Sequence, residues 1–578
     1  MKKFTNRLQW LVGISFGALL VVACFAPTRL FVVQAFQQNL LGSPDGSAAA
    51  QQSRAISFVQ SHPTDSEVQV ADFMKRYGQK AMNSGSSNVS SGDERILFAE
   101  GDKLIRQFPA DPSVCANVLR AECIALQRIV WRSAEIISEG GKSGPDAPLP
   151  GAAQLSYIHD FITQAQAGER IDPQNAYFPL MLSAGYYAAH QDDNAEAALL
   201  SGAKDTDWQE YMSAQENGER KIVQETLEFA NRMDGLGEIA VEASFMCPQY
   251  GRFQAVARMA KWDAEELEAG GNIVEGIRLR DALIHYGSLM RCDGRMFICN
   301  LVGIGITNIA ISQPGGSACL VVSKSLPDYR QSADLNERQL AVYQSFLLSH
   351  GHVADAQWTA QEMAAGTDLK QKGMPLLNQT YNVNDIIADI ILQTATFFIA
   401  GWALLAGCLW VIVAASSGIV RSLQTKRVTA AAVGFAVCFV IAALIIALVS
   451  HNVIDIEGLL QMPLLFGLIG QDEASIMSLA APIIMLGPLV LFLVVTAFVA
   501  LARGKSVIGS VVSSSLTVAV PCVCVLLLLF SASVIGRART DRTIQHDIAL
   551  RNSLGEGQYV FQNANVPWPA LPAEPAHG

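Results

Sequence analysis

The chain has 578 residues, of which 51% are hydrophobic and 16% charged, with a formal net charge of −11. That acidity excludes nucleic acid as a partner, because neutralising phosphates needs concentrated Lys and Arg. The length admits more than one domain, and the composition is that of a polar part averaged with a membrane part rather than of one uniform globule.

The chain opens with Lys2, Lys3 and Arg7, followed by an uncharged run from Leu8 to Ala26. Basic residues before an apolar run hold that end in the cytoplasm and send the following chain across. Residues 1–26 are therefore read as a signal anchor, with a cleaved signal peptide as the alternative. The short basic start has a bacterial look and points to an inner membrane. Within the run, Val21-Val22-Ala23-Cys24 resembles the lipobox of bacterial lipoprotein signals. That resemblance implies lipidation of Cys24, although Phe25 departs from the pattern.

Residues 27–388 form a polar block read as a helical extracytoplasmic domain. Arg220 to Met233 and Ala255 to Glu268 carry apolar positions three and four apart, the helical spacing. Gly42–Ser53, Ser84–Gly92 and Gly140–Gly151 have the composition of flexible joints. From Ala176 the chain reads AYFPLMLSAGYYAAHQDDNAEAALLSGAKDTD, with Leu182, Ser183, Tyr186, Ala195, Leu199 and Gly202 at regular offsets and a polar turn at His190–Asn194. Residues 173–207 thereby resemble a tetratricopeptide repeat, a 34-residue helical hairpin that packs small residues where its helices cross. Pro179 in the first helical turn and Asp207 at the closing position depart from the repeat. Phe108–Pro112 echoes only a repeat's end. The resemblance implies protein or peptide binding and supplies no ligand residues.

Further along, Phe297–Ile311 is nearly all apolar but too short to span a bilayer, and is read as a helix buried in the outward domain. Six cysteines lie in this block: Cys115, Cys123, Cys247, Cys292, Cys299 and Cys319. An oxidising exterior would permit disulfides among them. Cys115 and Cys123 are too far apart on a helix to join, and Cys292 could reach Cys299 only if Asp293-Gly294 breaks the helix. His350-Gly351-His352 with Asp355 has metal-ligand residue types, but reads better as a helix end with Gly351 at its cap. Arg291, Asp293 and Arg295 read as a charged helix–helix turn.

Four apolar runs follow, at about 390–415, 428–450, 476–501 and 507–535. Each exceeds the ~20 residues that a helix needs to cross hydrocarbon. Arg421, Lys426 and Arg427, with Arg503 and Lys505, mark the cytoplasmic loops. Residues 451–475 hold no Lys or Arg and include Gly458–Gly470, read as interfacial or re-entrant because it is short for a span; a crossing there would move the tail to the cytoplasm and satisfy its arginines. The tail 536–578 then falls outside, where Arg537, Arg539, Arg542 and Arg551 run against the charge rule. Its Pro-rich end reads as disordered or extended. Cys408, Cys438, Cys522 and Cys524 are packing residues of the spans.

The expected protein is all-α: an anchor, an outward helical domain that is partly tetratricopeptide-like, and a bundle of four transmembrane helices at 389–535. Its expected setting is the bilayer of an inner membrane, with a second envelope protein as partner. Protein binding or scaffolding leads as the function. A transport role for the four-helix bundle is the alternative, favoured by Pro482, Gly487, Pro488 and Pro521 and disfavoured by the near absence of ionisable residues in the spans. No HExxH or phosphate-loop pattern occurs, and no catalytic, metal or cofactor residue is assigned.

Overall fold

The computed structural model describes residues 48–78, 91–138, 148–226, 247–312, 329–380 and 545–569, together with 501, 502, 504 and 542. Residues 1–26 with Cys24, nearly all of 389–535, and Cys319 fall outside them. Among the described residues, no helix is long and apolar enough to cross a membrane. The chain divides into two compact units, Gln51–Thr380 with Gln545–Gly578, and Met1–Ala50 with Tyr381–Ile544. The first is described below.

Its described regular elements are all helices, in accord with the all-α reading. They are α1 (Ala48–Ser61), α2 (Ser66–Phe73), α3 (Ser91–Gln107), α4 (Pro112–Glu122) and α5 (Gln127–Ser138). A one-turn π-helix follows α2 at Met74–Gly78, and a 3-10 turn joins α4 to α5 at Cys123–Leu126. Then come α6 (Ala152–Ile171), α7 (Tyr177–Ala188), α8 (Asp192–Gly202) and α9 (Met212–Thr226). The domain continues with α10 (Gln249–Ala269), α11 (Ile273–Asp293), α12 (Phe297–Ala310), α13 (Tyr329–Ser349) and α14 (Val353–Thr380), and ends with α15 (Glu556–Asn563).

Local chemistry starts and stops these helices. Asp65 accepts from the Val68 amide at 3.2 Å before α2, and Asp111 accepts from Ser113 N at 2.9 Å ahead of Pro112 at the start of α4. Three-residue connections at 189–191, 270–272, 294–296 and 350–352 join consecutive helices, short enough to make each pair an antiparallel hairpin. Three of the four use the same device. His190, Gly271 and Gly351 take φ of 58°, 90° and 88°. The next amide in each case reaches back to Tyr186 O (3.0 Å), Leu267 O (2.8 Å) or Leu347 O (2.9 Å). This is the Schellman closure, in which a left-handed residue lets orphaned helix carbonyls find donors. The fourth is satisfied differently: Asn300 Nδ2 donates to Met290, Arg291 and Gly294 carbonyls at 3.0–3.1 Å.

Helix α7, apolar all round, buries nearly its whole circumference, and α11 does so from Gly276 to Cys292 apart from Arg278 although Arg280, Asp281, His285 and Arg291 lie in it. Helix α7 packs against α6, α8 and α10, and α11 against α10 and α12. Between α7 and α10, Tyr177, Trp208 and Phe253 meet edge to face with centroids 5.7–6.1 Å apart. Helix α12 covers α11 and α10 with Phe297, Cys299, Val302 and Ile306, while Ile298 faces out.

Two local expectations change. The joint at Gly42–Ser53 is helical from Ala48 onward, because Ala and Gln there are strong helix formers. The tail is neither extended nor solvated along 545–563: it is helical and buries Tyr559, Val560 and Phe561. Phe561 packs with Phe297 and Leu369, and Trp568 closes over it at 5.1 Å in a T-shaped contact. The helical stretch 545–563 holds no proline; the Pro-rich end begins after it, at Pro567.

Candidate functional site

The hairpin α7–α8 places the residues that the repeat resemblance singled out. Leu182, Ser183, Ala195, Leu199 and Gly202 are buried, and Tyr186 is half-buried with its hydroxyl accepting from Gln166 Nε2 at 3.0 Å. A Cβ on Gly202 would overlap the Tyr286 hydroxyl and the Pro179 ring, so α8 meets α7 and α11 there without a side chain. Asn175 clasps the hairpin's open end. Its side chain donates to Gln209 O and accepts from Gln209 N at 2.9 and 3.0 Å, while Ala176 N donates to Asp207 O at 3.0 Å. Because α7 is enclosed by α6 and α10, the hairpin's free face belongs to α8, through Asp193, Asn194, Ala197 and Ser201.

Buried polar groups tie the helices together. Arg280 forms a bidentate pair with Glu268 (2.6 and 3.1 Å) and donates to the Ala310 and Ser312 carbonyls at the end of α12. Arg291 pairs with Glu362 at 3.0 Å, which also accepts from Ser288 Oγ at 2.8 Å, joining α11 to α14. The cleft beside that pair has a cavity of about 10 Å³, far below the size of an ordinary ligand pocket. Arg120 donates to Asn117 and Gln215, and Glu210 accepts from Tyr250 at 2.9 Å. Arg132 grips Asp192 and the Tyr187 carbonyl. Burial pushes Glu122 well above the usual carboxylate range. Burial also takes Asp263 up to about 7, with Glu196 and Asp192 adding to the push, while the Tyr187 hydroxyl that donates to it at 2.7 Å pulls the other way. Most of these groups face inward, across packed helices.

On the outside lies a patch that sequence reading missed. Along α5 the core stripe is Ile129, Arg132, Ser133 and Ile136, spaced i, i+3, i+4, i+7. Trp131 falls off that stripe and is 48% exposed. The Arg128 guanidinium sits 5.5 Å from its ring and donates to Pro148 O at 2.6 Å, and Leu149, next to Pro148 in the chain, is 72% exposed. An aromatic residue outside an otherwise well-formed apolar stripe was the available signal.

The remaining candidates resolve as follows. His350 Nδ1 donates to Phe346 O at 2.8 Å and His352 meets Asp355 at 2.7 Å, so the two histidines serve a helix end and the next helix's first turn. Among the described residues no group of three or more His, Cys, Asp or Glu could hold a metal ion. Cys115, Cys123, Cys247, Cys292 and Cys299 are free thiols, even though α11 does break at Gly294 between the last two. Of the charged turn, Arg291 reaches Glu362 and Arg295 reaches Glu216 and Asn552. No protein family, curated protein or solved structure matches the chain.

Proposed function

We propose that this is an integral inner-membrane protein whose outward helical domain binds a second envelope protein and scaffolds an assembly. The observation that carries the reading is the exposed Trp131–Arg128–Leu149 patch. Trp and Arg are the residue types that dominate interface energetics, and a stacked pair beside an exposed Leu is pre-organised to be covered. Hairpins closed by the same device at His190, Gly271 and Gly351 fit a helical-repeat scaffold of the tetratricopeptide type. The membrane part of the reading stands on the uncharged runs at 8–26, 390–415, 428–450, 476–501 and 507–535, and on the basic residues at 421–427 and 503–505.

The test uses the full chain in native membranes with a photo-crosslinking residue in place of Leu149, with and without Trp131→Ala. One defined protein species should crosslink, and Trp131→Ala should reduce its yield about tenfold or more, as for an interface anchor of ~2 kcal/mol. Absence of any crosslink, together with solute movement by the purified protein in vesicles, would replace the scaffold with the transport reading.

A further inference from the structure

The C-terminal segment is built into the same domain that the chain leaves at Thr380. Helix α15 packs on α12 and α14. Phe561 and Leu369 are fully buried in their shared cluster, with Phe297 nearly so. The polar joint is equally specific. Glu556 N donates to Arg295 O at 2.6 Å, Phe297 N donates to Glu556 Oε2 at 2.7 Å, and Arg295 Nη2 donates to Asn552 Oδ1 at 3.0 Å. Glu556 therefore caps the first turn of α12 from 259 residues away in sequence. Such a joint forms only if both partners share one aqueous compartment, since a bilayer between them would leave each aromatic and each capping group without its counterpart.

We propose that residues 381–544 cross the bilayer an even number of times, as a membrane insert within one folded domain, so that 545–569 lie on the same side as 51–380. The inference rests on the membrane reading of the sequence and goes beyond it by fixing parity. A path that leaves one compartment and re-enters it crosses the barrier an even number of times. The four runs at 390–415, 428–450, 476–501 and 507–535 satisfy this, and a crossing by Gly458–Gly470 would make five and break it. Of the four arginines that oppose the charge rule, the joint accounts for Arg551, which is half-buried with the Glu556 and Glu216 carboxylates nearby. A folding contact of this kind outranks a statistical bias in loop charge.

The unmodified full chain tests this in sealed vesicles of both orientations, digested with trypsin and read by mass spectrometry. Lys142 reports the domain side, Lys426 and Arg427 the loop between the first two of the four runs, and Arg537, Arg539 and Arg542 the approach to the joint. Cleavage at Lys142 and at Arg537–Arg542 in one orientation, with Lys426–Arg427 in the other, is the expected result. Cleavage at Arg537–Arg542 together with Lys426–Arg427 would overturn the parity assignment while leaving the membrane reading intact. Cleavage of all three sets from one face, with the chain released by alkaline carbonate, would remove the membrane reading and the proposal with it. Should folding shield Arg537–Arg542, an epitope tag after Gly578, probed by antibody in the same vesicles, gives the same two outcomes.

Discussion

Replacing Arg280 by Met isolates what a buried ion pair does in this fold. Arg280 and Glu268 have no side-chain exposure, and their two hydrogen bonds join α11 to the last turn of α10. The guanidinium also donates to Ala310 O and to Ser312 O at 2.8 Å and lies 5.7 Å from the Tyr343 ring. Met fills much of the volume but leaves a dry carboxylate and two undonated carbonyls. Breaking such a pair costs about 3–5 kcal/mol. Adding Glu268→Leu should restore most of the stability, because an apolar pair of similar volume is near neutral. Urea denaturation of the full protein in detergent, followed by tryptophan fluorescence, measures the parent, the single variant and the double variant. A double variant no better than the single one would refute this account and assign the cost to packing alone.

Two further outcomes are expected. Gly202→Ala should destabilise by about 1–3 kcal/mol through overlap with Tyr286 and Pro179, whereas Gly251→Ala, in α10 with open space around it, should be neutral or stabilising by up to ~1 kcal/mol; equal thermal shifts would count against the tight crossing. Because the folded Asp263 carboxyl sits near 7, above its ordinary 3.8, the folded state holds a proton that the unfolded chain releases, and its contribution to stability is lost as pH rises from about 4 to 7. Asp263→Asn should accordingly match the parent at pH 4 and exceed it at pH 8 by roughly 1–3 kcal/mol; a constant gap in denaturation midpoint across that range would contradict the assignment.

Much of the helical frame was legible locally. Gly351 read as a cap because a left-handed residue is needed where a helix turns back, and it has φ of 88°. The turn near His190 and the crossing at Gly202 were legible through spacing and side-chain size. Trp131 was overlooked because attention to apolar periodicity rewards residues on the stripe, and this one lies beside it. The partners of Arg280, Arg291 and Arg295 could not be read, because a charge shows its sign in sequence and not its counterpart.

What the sequence determined by itself is the helical spacing of segments such as Ala255–Glu268, the cap at Gly351, and where long uncharged runs reach the length of a bilayer; each follows from chemistry within about 25 consecutive residues. What only the tertiary structure decided is closure: Glu556 capping α12, Phe561 seated against Phe297 and Leu369, and Asn175 clasping Asp207 and Gln209. Those contacts join residues up to hundreds of positions apart, and their free energy comes from burying surfaces that no local window contains.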